Sequence, residues 1–309
     1  MSEIDPSESD RGDAPAYRDT SACAVAAFGV ARVSLAELAV LRKAPGPPLL
    51  GVKLPPSLLK HADPQTVASL AAVLRGAADA GWSGRSFDEW AVVAAPRFLG
   101  RITATASIDR FTRQGPSCVS PLVIPTMSLH AVAGTLSLAI KSHGFNYSVG
   151  GGPNHLSEAL MAGMAARDDG GVPGVWVVAS GFSPEPVPDL EGGSQTPTTC
   201  YAVALALVAG DDPATARLNL RLVGPSPAEP PETTGTLRNA QADPNGAPLL
   251  TGLVSLVEFL EGLSGPGVPP LPRPRPRRWY HPVLGGGAFE VDDDAARAGG
   301  SVSLNSRAG

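Results

Sequence analysis

Cysteine is scarce in this chain. Only three cysteines occur among 309 residues, at positions 23, 118 and 200, and no two of them form a CxxC pair. Secreted disulfide scaffolds carry paired cysteines at short spacings, so an odd and widely spread set favours a reducing cytosol over a disulfide framework.

Long hydrophobic runs are also missing, and we expect no signal peptide. No apolar run approaches the roughly 18 residues of a membrane-spanning helix, and the N-terminal stretch MSEIDPSESDRGDAP is acidic and polar, the opposite of a secretion signal. The net charge of −5 and the pI of about 5.6 provide no general attraction to nucleic acid or to anionic membranes. We therefore expect a cytoplasmic protein with no nucleic-acid partner and no membrane partner.

Glycine and proline are abundant instead, and they concentrate near the two ends. The 35 glycines and 32 prolines make up about a fifth of the sequence, so the core-forming part is shorter than the chain. The composition predicts a disordered leader at residues 1–19, a main domain at 20–224, a linker with a docking helix at 225–264, and a flexible tail rich in Pro, Arg and Gly at 265–309.

Apolar runs alternate with helical patterns along the main domain. Buried strands are predicted at residues 23–30, 90–95, 145–149, 175–179 and 201–208, followed by a half-exposed strand at 216–223. A helix is predicted from Pro64, with Asp63 as its N-cap and Gly81 just past its end. Further helices are predicted at residues 126–142 and 155–167, and a docking helix at 249–263. This alternation is typical of an α/β domain whose mostly parallel sheet is covered by helices on its faces.

One segment has the form of a nucleophile site without a nucleophile. Residues 145–167 read FNYSVGGGPNHLSEALMAGMAAR, a strand, a glycine turn and an amphipathic helix. Enzymes place nucleophiles at such helix N-termini because free backbone N–H groups and the helix dipole stabilise an anion there. Here the turn supplies Gly152, Pro153, Asn154 and His155, and no cysteine or serine before Ser157. The three glycines lack the companions of a phosphate-binding motif and predict a tight turn.

Three consecutive segments resemble the β-ketoacyl synthases of the thiolase-like superfamily. SPLVIPTMSLHAVAGTLSLAI resembles the synthase segment "SP…P…N-A-A-A-G-x-x-S-I", and FNYSVGGGPNHLSEALMAG resembles "T-V-T-x-x-C-x-S-G-L-x-A-L-x-x-G". GVWVVASGFSPEP then resembles the next strand with its "G-x-x-E" turn. The resemblance covers about residues 22–224, and it is closest to short chain-length-factor-like proteins. It implies one βαβαβαββ half with a mixed, mostly parallel five-stranded sheet, plus a truncated second half.

The departures from the family pattern imply that catalysis is lost. Alignment on the "x-A-L" motif places Pro153 where the family has its nucleophilic cysteine, and proline offers neither a nucleophile nor an N–H group. The family's two histidines stand in "H-G-T" and "G-H" turns of the second half. His281, the only histidine after His155, matches neither turn.

The resemblance therefore implies a silent subunit in a heterodimer with an active β-ketoacyl synthase. In such families the strand before the nucleophile turn, here residues 145–149, pairs with its counterpart across a twofold axis. The implied pocket and interface residues are Met127, Leu129, His130, Phe145 and Tyr147. The resemblance implies no bound cofactor, since the acyl chains are carried on the phosphopantetheine arm of an acyl carrier protein. The arginines of a predicted loop, Arg97, Arg101, Arg110 and Arg113, are candidates for carrier-protein contact, or form a solvated loop.

Two other functions stay open at this point. The chain could be an acyl-thioester hydrolase or transferase that uses His155 or Cys118, or a homodimeric scaffold that binds carrier protein. His155 could equally be a neutral residue that caps or packs, because a helix N-terminus disfavours an imidazolium. A metal site from His130, His143 and His155 lacks ligand spacing, and we predict no metal.

Overall fold

The computed structural model describes residues 21–49, 54–55, 58–121, 123–169, 171–209, 216–224, 250–264, 277–283 and 288–293. The predicted leader and most of the predicted linker and tail lie outside these ranges. Within them the chain forms eight strands and seven α-helices. The strands are β1 Ala22–Ser34, β2 Ala91–Pro96, β3 Asn146–Ser148, β4 Val175–Ser183, β5 Thr199–Val208, β6 Leu218–Val223, β7 Arg278–Pro282 and β8 Ala288–Asp292. The helices are α1 Leu35–Leu41, α2 Pro64–Asp79, α3 Arg101–Gln114, α4 Val123–Met127, α5 Ala131–Ile140, α6 His155–Asp168 and α7 Thr251–Ser264.

All eight strands belong to one mixed sheet with the order β3-β2-β4-β5-β1-β6-β8-β7. β2 is parallel to β3 and to β4, whereas β5 is antiparallel to both of its neighbours, β4 and β1. Four strands of the five-stranded part, β1 to β4, therefore run in one direction, as the sequence predicts. Helices cover both faces of this sheet, which confirms the predicted fold class.

The two faces of the sheet form two apolar cores because successive side chains of a strand point to opposite sides. On β2, Val92 and Ala94 face the core beneath α2 and α5, and Val93 and Ala95 face the core beneath α6 and α7. This two-sided burial explains the continuous apolar runs in the sequence. None of the helices in the described ranges is long and apolar enough to cross a membrane.

Helix α2 lies unusually close to β1 because glycines face each other at the contact. A Cβ atom on Gly76 would lie 2.8 Å from the Gly29 nitrogen and 2.8 Å from the Phe28 carbonyl carbon. Both neighbours are backbone atoms, so neither can rotate away.

We expect Gly76→Ala to lower the free energy of unfolding by about 2 kcal/mol, because the added methyl group separates α2 from β1. Gly134→Ala on α5 is the matched control, since its new Cβ would meet only the exposed His130 ring, at 3.3 Å. The control should gain up to about 1 kcal/mol from helix propensity. Urea denaturation of both variants tests this, and equal effects at the two positions would contradict the proposed close contact.

Helix α1 follows β1 directly, and its Ser34 and Glu37 form a capping box. Two predicted features of the main domain are wrong. The predicted arginine loop contains helix α3. Gly100 is the N-cap of this helix and Gly115 is its C-cap. The predicted helix over 126–142 is two helices, because the Ser128 hydroxyl donates to the Pro125 carbonyl and competes with the helical pattern at that point.

The predicted second half and tail also form more structure than the sequence suggests. β8 pairs with β6, and β7 pairs with β8, so both strands extend the sheet beyond the six strands that were predicted. Asp292 on β8 is fully buried, and Arg221 on β6 binds it at 2.5 Å. Residues 278–282 and 288–292 are thus sheet strands and not part of a flexible tail.

Candidate functional site

The turn between β3 and α6 is a glycine turn that leads directly into a helix N-terminus. Gly150 and Gly151 adopt positive φ values of +76° and +100°, which favour glycine, and the Phe98 N–H donates to the Gly151 carbonyl at 3.0 Å. Helix α6 then begins at His155, and its N-cap residue Asn154 makes no side-chain capping bond. Pro153 and Asn154 are exposed. The strand, turn and helix are thus contiguous, as the sequence predicts.

His155 is the first residue of α6, and its imidazole is buried. It is 2 % exposed, and neither ring nitrogen has a hydrogen-bond partner among the described residues. Burial, reinforced by the nearby Arg97 guanidinium, lowers the pKa of His155 to about 3. The carbonyls of Pro153 and Gly152 oppose this shift, although neither has hydrogen-bond geometry. The imidazole is therefore neutral at pH 7.

Arg97 directly follows strand β2 and is buried, so the prediction that it contacts a carrier protein is wrong. It is 1 % exposed, and its Nε lies 3.3 Å from a carboxylate oxygen of Glu185, which follows β4. Arg101 on α3 approaches the other oxygen of Glu185 at 3.7 Å. The Phe98 ring lies within 5.1 Å of the Arg97 guanidinium and 4.9 Å of the Arg101 guanidinium. Two guanidinium groups thus share one described carboxylate.

His281 on β7 reaches the same place from the far end of the chain. Burial lowers the pKa of His281 to about 4, and His281 in turn contributes to the low pKa of His155. Its ring packs against Gly252 in the first turn of α7. A Cβ atom on Gly181 of β4 would lie 3.0 Å from Leu250, which precedes α7, and 3.2 Å from the Arg97 Cβ. The start of α7 therefore lies near Arg97, on the same side of β4.

Two other polar side chains near Arg97, those of Gln65 and Ser180, form hydrogen bonds within the protein. The Gln65 amide donates to the Arg97 carbonyl at 2.7 Å, and the Ser180 hydroxyl donates to the Gln65 side-chain oxygen at 3.1 Å. Cys200 is fully buried, and burial raises the pKa of its thiol well above the usual value. A protonated thiol is a poor nucleophile, so Cys200 adds no reactive group.

The predicted pocket and interface residues lie in two places. Leu129 packs near the glycine turn, 3.5 Å from the position of a Cβ on Gly151, and Met127 packs on Gly100. His130 is exposed. Phe145 and Tyr147 stack with their ring centroids 5.9 Å apart at strand β3, which is the edge strand of the described sheet.

The remaining predicted site residues are on the surface and apart from the cluster. Arg110 and Arg113 are exposed on α3, where Arg113 pairs with Asp109 at 2.9 Å. Cys118 is exposed in a short 3-10 helix, and its Sγ lies 3.6 Å from the Gln114 carbonyl oxygen. Across the described residues, no three His, Cys, Asp or Glu side chains come together as a metal site would require.

Sequence reasoning missed His281, Phe98 and the role of Glu185. The sequence signal for Glu185 is its place in the "G-x-x-E" turn, but nothing in the sequence links it to Arg97. Phe98 carries no signal, although its positive φ of +48° is rare for an aromatic residue. His281 is brought to the site only by the added strands β6, β8 and β7.

The neutral state of His155 gives a pH-dependent stability. Its folded pKa of about 3 lies below its ordinary 6.5, so between these values the unfolded chain binds a proton that the folded protein rejects. Acid therefore removes stability in this window, by up to about 1.4 kcal/mol per pH unit from this group. We expect wild type to lose stability relative to His155→Phe as pH falls from 6.5 to 3 in urea denaturation. Parallel curves for the two proteins would contradict the neutral, buried imidazole.

Comparison with known proteins identifies the fold. No protein-family model matches the sequence, and no curated protein matches it significantly. Among solved structures, the chain is similar to AntDE:AntF, a type II polyketide synthase acyl carrier protein in complex with its ketosynthase bound to the hexaketide. The sequence identity is 12%, the TM-score is 0.56, and the match covers 89% of this chain and 99% of that one.

Two further solved structures come from ketosynthase and chain-length-factor pairs. One is the ketosynthase ApeO in complex with its chain length factor ApeC from Xenorhabdus doucetiae, with 14% identity, a TM-score of 0.48, and coverage of 87% of this chain and 99% of that chain. The other is the ishigamide ketosynthase/chain length factor, with 17% identity, a TM-score of 0.40, and coverage of 65% and 66%. The AntDE:AntF match shows that this chain has the ketosynthase fold.

Proposed function

We propose that this chain is a catalytically silent, chain-length-factor-type subunit that pairs with an active β-ketoacyl synthase and shapes the acyl pocket of that enzyme. The observation that carries the proposal is the β3–turn–α6 frame, which has Pro153 where the family has its cysteine. A proline there can neither attack a thioester nor donate an N–H to an oxyanion. The chain keeps the fold and has lost the group that performs condensation.

The free edge of the sheet supports pairing with a partner. β3 pairs with β2 on one side and has no strand on its other side among the described residues. Exposed sheet edges promote association with other strands. Large apolar side chains are exposed around this edge: Phe145 just before β3, Leu138 on α5, which packs on β3, and Met161 on α6, beside the Ala162 carbonyl that Tyr147 binds. An apolar surface around an unpaired strand fits a permanent interface.

Leu129 and Met127 support a role in the acyl pocket. Leu129 lies 3.5 Å from the position of a Cβ on Gly151 in the glycine turn, and Met127 packs on Gly100 at the start of α3. The acyl chain would be carried on the phosphopantetheine arm of an acyl carrier protein. Arg101, Arg110 and Arg113 on α3 provide exposed positive charge for such an acidic partner.

The acyl-thioester hydrolase is less well supported. An imidazole with a pKa of about 3 is a weak base at pH 7, where an effective general base needs a pKa nearer the operating pH. Cys118 has no described histidine within hydrogen-bonding distance to activate it. A homodimeric scaffold would use the same β3 edge, and the mass of the lone chain separates it from the heterodimer.

A pocket variant tests this function in the assembled pair. We expect Leu129→Trp to shorten the longest carrier-bound acyl product by about one extension unit, because the larger ring fills volume beside the turn. Val40→Trp on α1, at a side chain 70% exposed, is the matched control and should leave the products unchanged. Mass spectrometry of the carrier-bound chains gives the readout. The same product length from both variants would contradict the pocket role.

A further inference from the structure

The corner that joins β2 to α3, residues 97–100, has a strained backbone. Phe98 has a φ of +48° and Gly100 a φ of +79°. A positive φ is costly for an aromatic residue, and it persists only where the surrounding structure imposes it. One contact that does so is the hydrogen bond from the Phe98 N–H to the Gly151 carbonyl of the glycine turn, at 3.0 Å. The corner can therefore relax if the contacts that hold it are weakened.

The first turn of α2 holds the corner at two further points. The Gln65 side-chain amide donates to the Arg97 carbonyl at 2.7 Å. The Gly100 N–H donates to the Asp63 carboxylate at 3.2 Å. The corner is thus held between the start of α2 on one side and the glycine turn on the other.

The Asp63 carboxylate connects the starts of two helices. Asp63 is the N-cap of α2, and its side chain is buried. One carboxylate oxygen accepts from the Gln65 N–H at 2.9 Å, and the other accepts from the N–H of Gly100, which is the N-cap of α3. Hydrogen bonds to an ionised group are about twice as strong as those between neutral groups. The charge of Asp63 therefore determines how firmly the start of α3 is attached to α2.

Helix α3 depends on this attachment because it buries little of its own surface. Of its 14 residues, only Ile102 is buried. At its start, Met127 of α4 packs on Gly100, where a Cβ atom would lie 2.9 Å from the Met127 Cβ. A shift of the corner would therefore move α3, with its exposed arginines, and would change the contact with α4.

We propose that Asp63 is a proton-operated latch on this corner: the ionised carboxylate holds Gly100 and keeps α3 in its described position, and protonation weakens that bond and lets the corner and α3 shift. The strained φ of Phe98 provides the tendency to shift once the latch is weakened. The inference does not rest on pairing with a synthase.

The proton binds to Asp63 between pH 5 and 7. Burial raises the pKa of Asp63 from 3.8 to about 6, although its two N–H bonds and the Arg42 guanidinium oppose the shift. The carboxyl group is therefore mostly ionised at pH 7 and mostly protonated at pH 5. Because the folded pKa lies above the unfolded one, this group adds stability that is complete below pH 3.8 and is lost as the pH rises through about 6. His155 acts in the opposite direction, so the latch needs a local readout.

Several elements bring charged or titratable groups toward Asp63. Arg42, the C-cap of α1, donates to two carbonyls of the segment that leads into Asp63. Cys200 on β5 is fully buried, and burial first, then the carboxylates of Asp63 and Glu185, raise the pKa of its thiol. Other charged or titratable side chains lie close in sequence to Asp63 or to the corner, namely Lys60, His61, Arg97 and Arg101. A titration of Asp63 must therefore be distinguished from one of His61.

Nuclear magnetic resonance of the isotope-labelled, full-length protein tests the latch across this pH range. The side-chain carboxyl carbon of Asp63 and the amide of Gly100 are followed in wild type and in Asp63→Asn, which is neutral at every pH. Asp189→Asn is the matched control, because the Asp189 carboxylate also accepts from two backbone N–H groups, in the loop after β4. His61→Gln removes the neighbouring histidine.

We expect both wild-type signals to titrate with a midpoint near pH 6. Hydrogen exchange of the Gly100 amide, corrected for its intrinsic pH dependence, should be about five- to tenfold faster at pH 5 than at pH 7, because a charged acceptor is lost. Asp63→Asn should abolish the titration of Gly100 and show the faster exchange at both pH values. Asp189→Asn and His61→Gln should behave as wild type does.

The inference is overturned if the Asp63 carboxyl carbon does not titrate between pH 5 and 7, or if the Gly100 titration persists in Asp63→Asn or disappears in His61→Gln. If Asp63→Asn does not fold, the wild-type signals decide: a common midpoint for Asp63 and Gly100 supports the latch, and different midpoints overturn it. Complex formation with a synthase is a separate readout, so the two proposals can fail independently.

Discussion

Ser148→Pro should abolish pairing with the synthase while leaving the chain folded. Val92 donates to the Phe145 carbonyl and Val149 donates to the Ala94 carbonyl, so odd-numbered residues of this strand bond to β2. The backbone groups of Asn146 and Ser148 then point away from β2, toward a partner. Proline at 148 removes an N–H that points away from β2, and it places its ring at the proposed interface with the synthase. The hydrogen bonds between β3 and β2 stay intact.

Ser148→Ala is the matched control for this variant. It keeps the backbone N–H, and it removes a hydroxyl that is buried without a partner among the described residues, so pairing and stability should be retained. Size-exclusion chromatography with mass determination measures complex formation, and far-UV circular dichroism checks the fold. If a folded Ser148→Pro protein still pairs with the synthase at wild-type affinity, β3 does not form the interface.

Arg97→Met should lower the free energy of unfolding by about 3–5 kcal/mol. The substitution removes the Arg97 guanidinium, whose Nε lies 3.3 Å from the Glu185 carboxylate, at a place where the Glu185 side chain is only 7% exposed. Removing one partner of a buried ion pair costs this much because the other charge stays desolvated. Urea denaturation at pH 7 provides the measurement.

Arg110→Met, at an exposed position of α3, is the control and should change stability by less than about 0.5 kcal/mol. A loss below about 1 kcal/mol for Arg97→Met would contradict the buried ion pair. It would also favour the sequence-based prediction that Arg97 is exposed and contacts a carrier protein.

The sequence predicts the elements that carry strong local signals. Helix α2 is bounded by the N-cap Asp63, by Pro64 and by a glycine after its end, and its start matches the expected residue. The strands with continuous apolar runs, such as β2 and β4, follow from burial on both faces. The place of β3 at the sheet edge follows from the resemblance to the synthases and not from residue patterns.

Elements held by tertiary contacts could not be predicted in the same way. Helix α3 has only Ile102 buried, so it shows no apolar stripe in the sequence. Strands β7 and β8 follow segments rich in proline or glycine, and their pairing with β6 depends on contacts such as Arg278 with Glu290 at 3.2 Å. Local patterns do not encode pairings between residues so distant in sequence.

Only part of the candidate site could be predicted, because the rest comes from residues that are distant in sequence. The glycine turn and the missing cysteine are visible in residues 150–155, because strand, turn and helix are contiguous there. Arg97, Glu185 and His281 come from three other elements, and only the folded sheet brings them beside His155. From its charge, Arg97 is predicted to be exposed. Nothing in the sequence indicates its buried partner Glu185, which lies 88 residues further along the chain.

The most direct test of the central claim is the mass of the complex formed on co-expression. The full-length chain, with an affinity tag, is expressed with each cysteine-bearing ketosynthase of the same genome, and the purified material is measured by native mass spectrometry. The account predicts a one-to-one complex with one of these synthases that is lost in Ser148→Pro and kept in Ser148→Ala. A stable homodimer of the lone chain that binds none of them would contradict it.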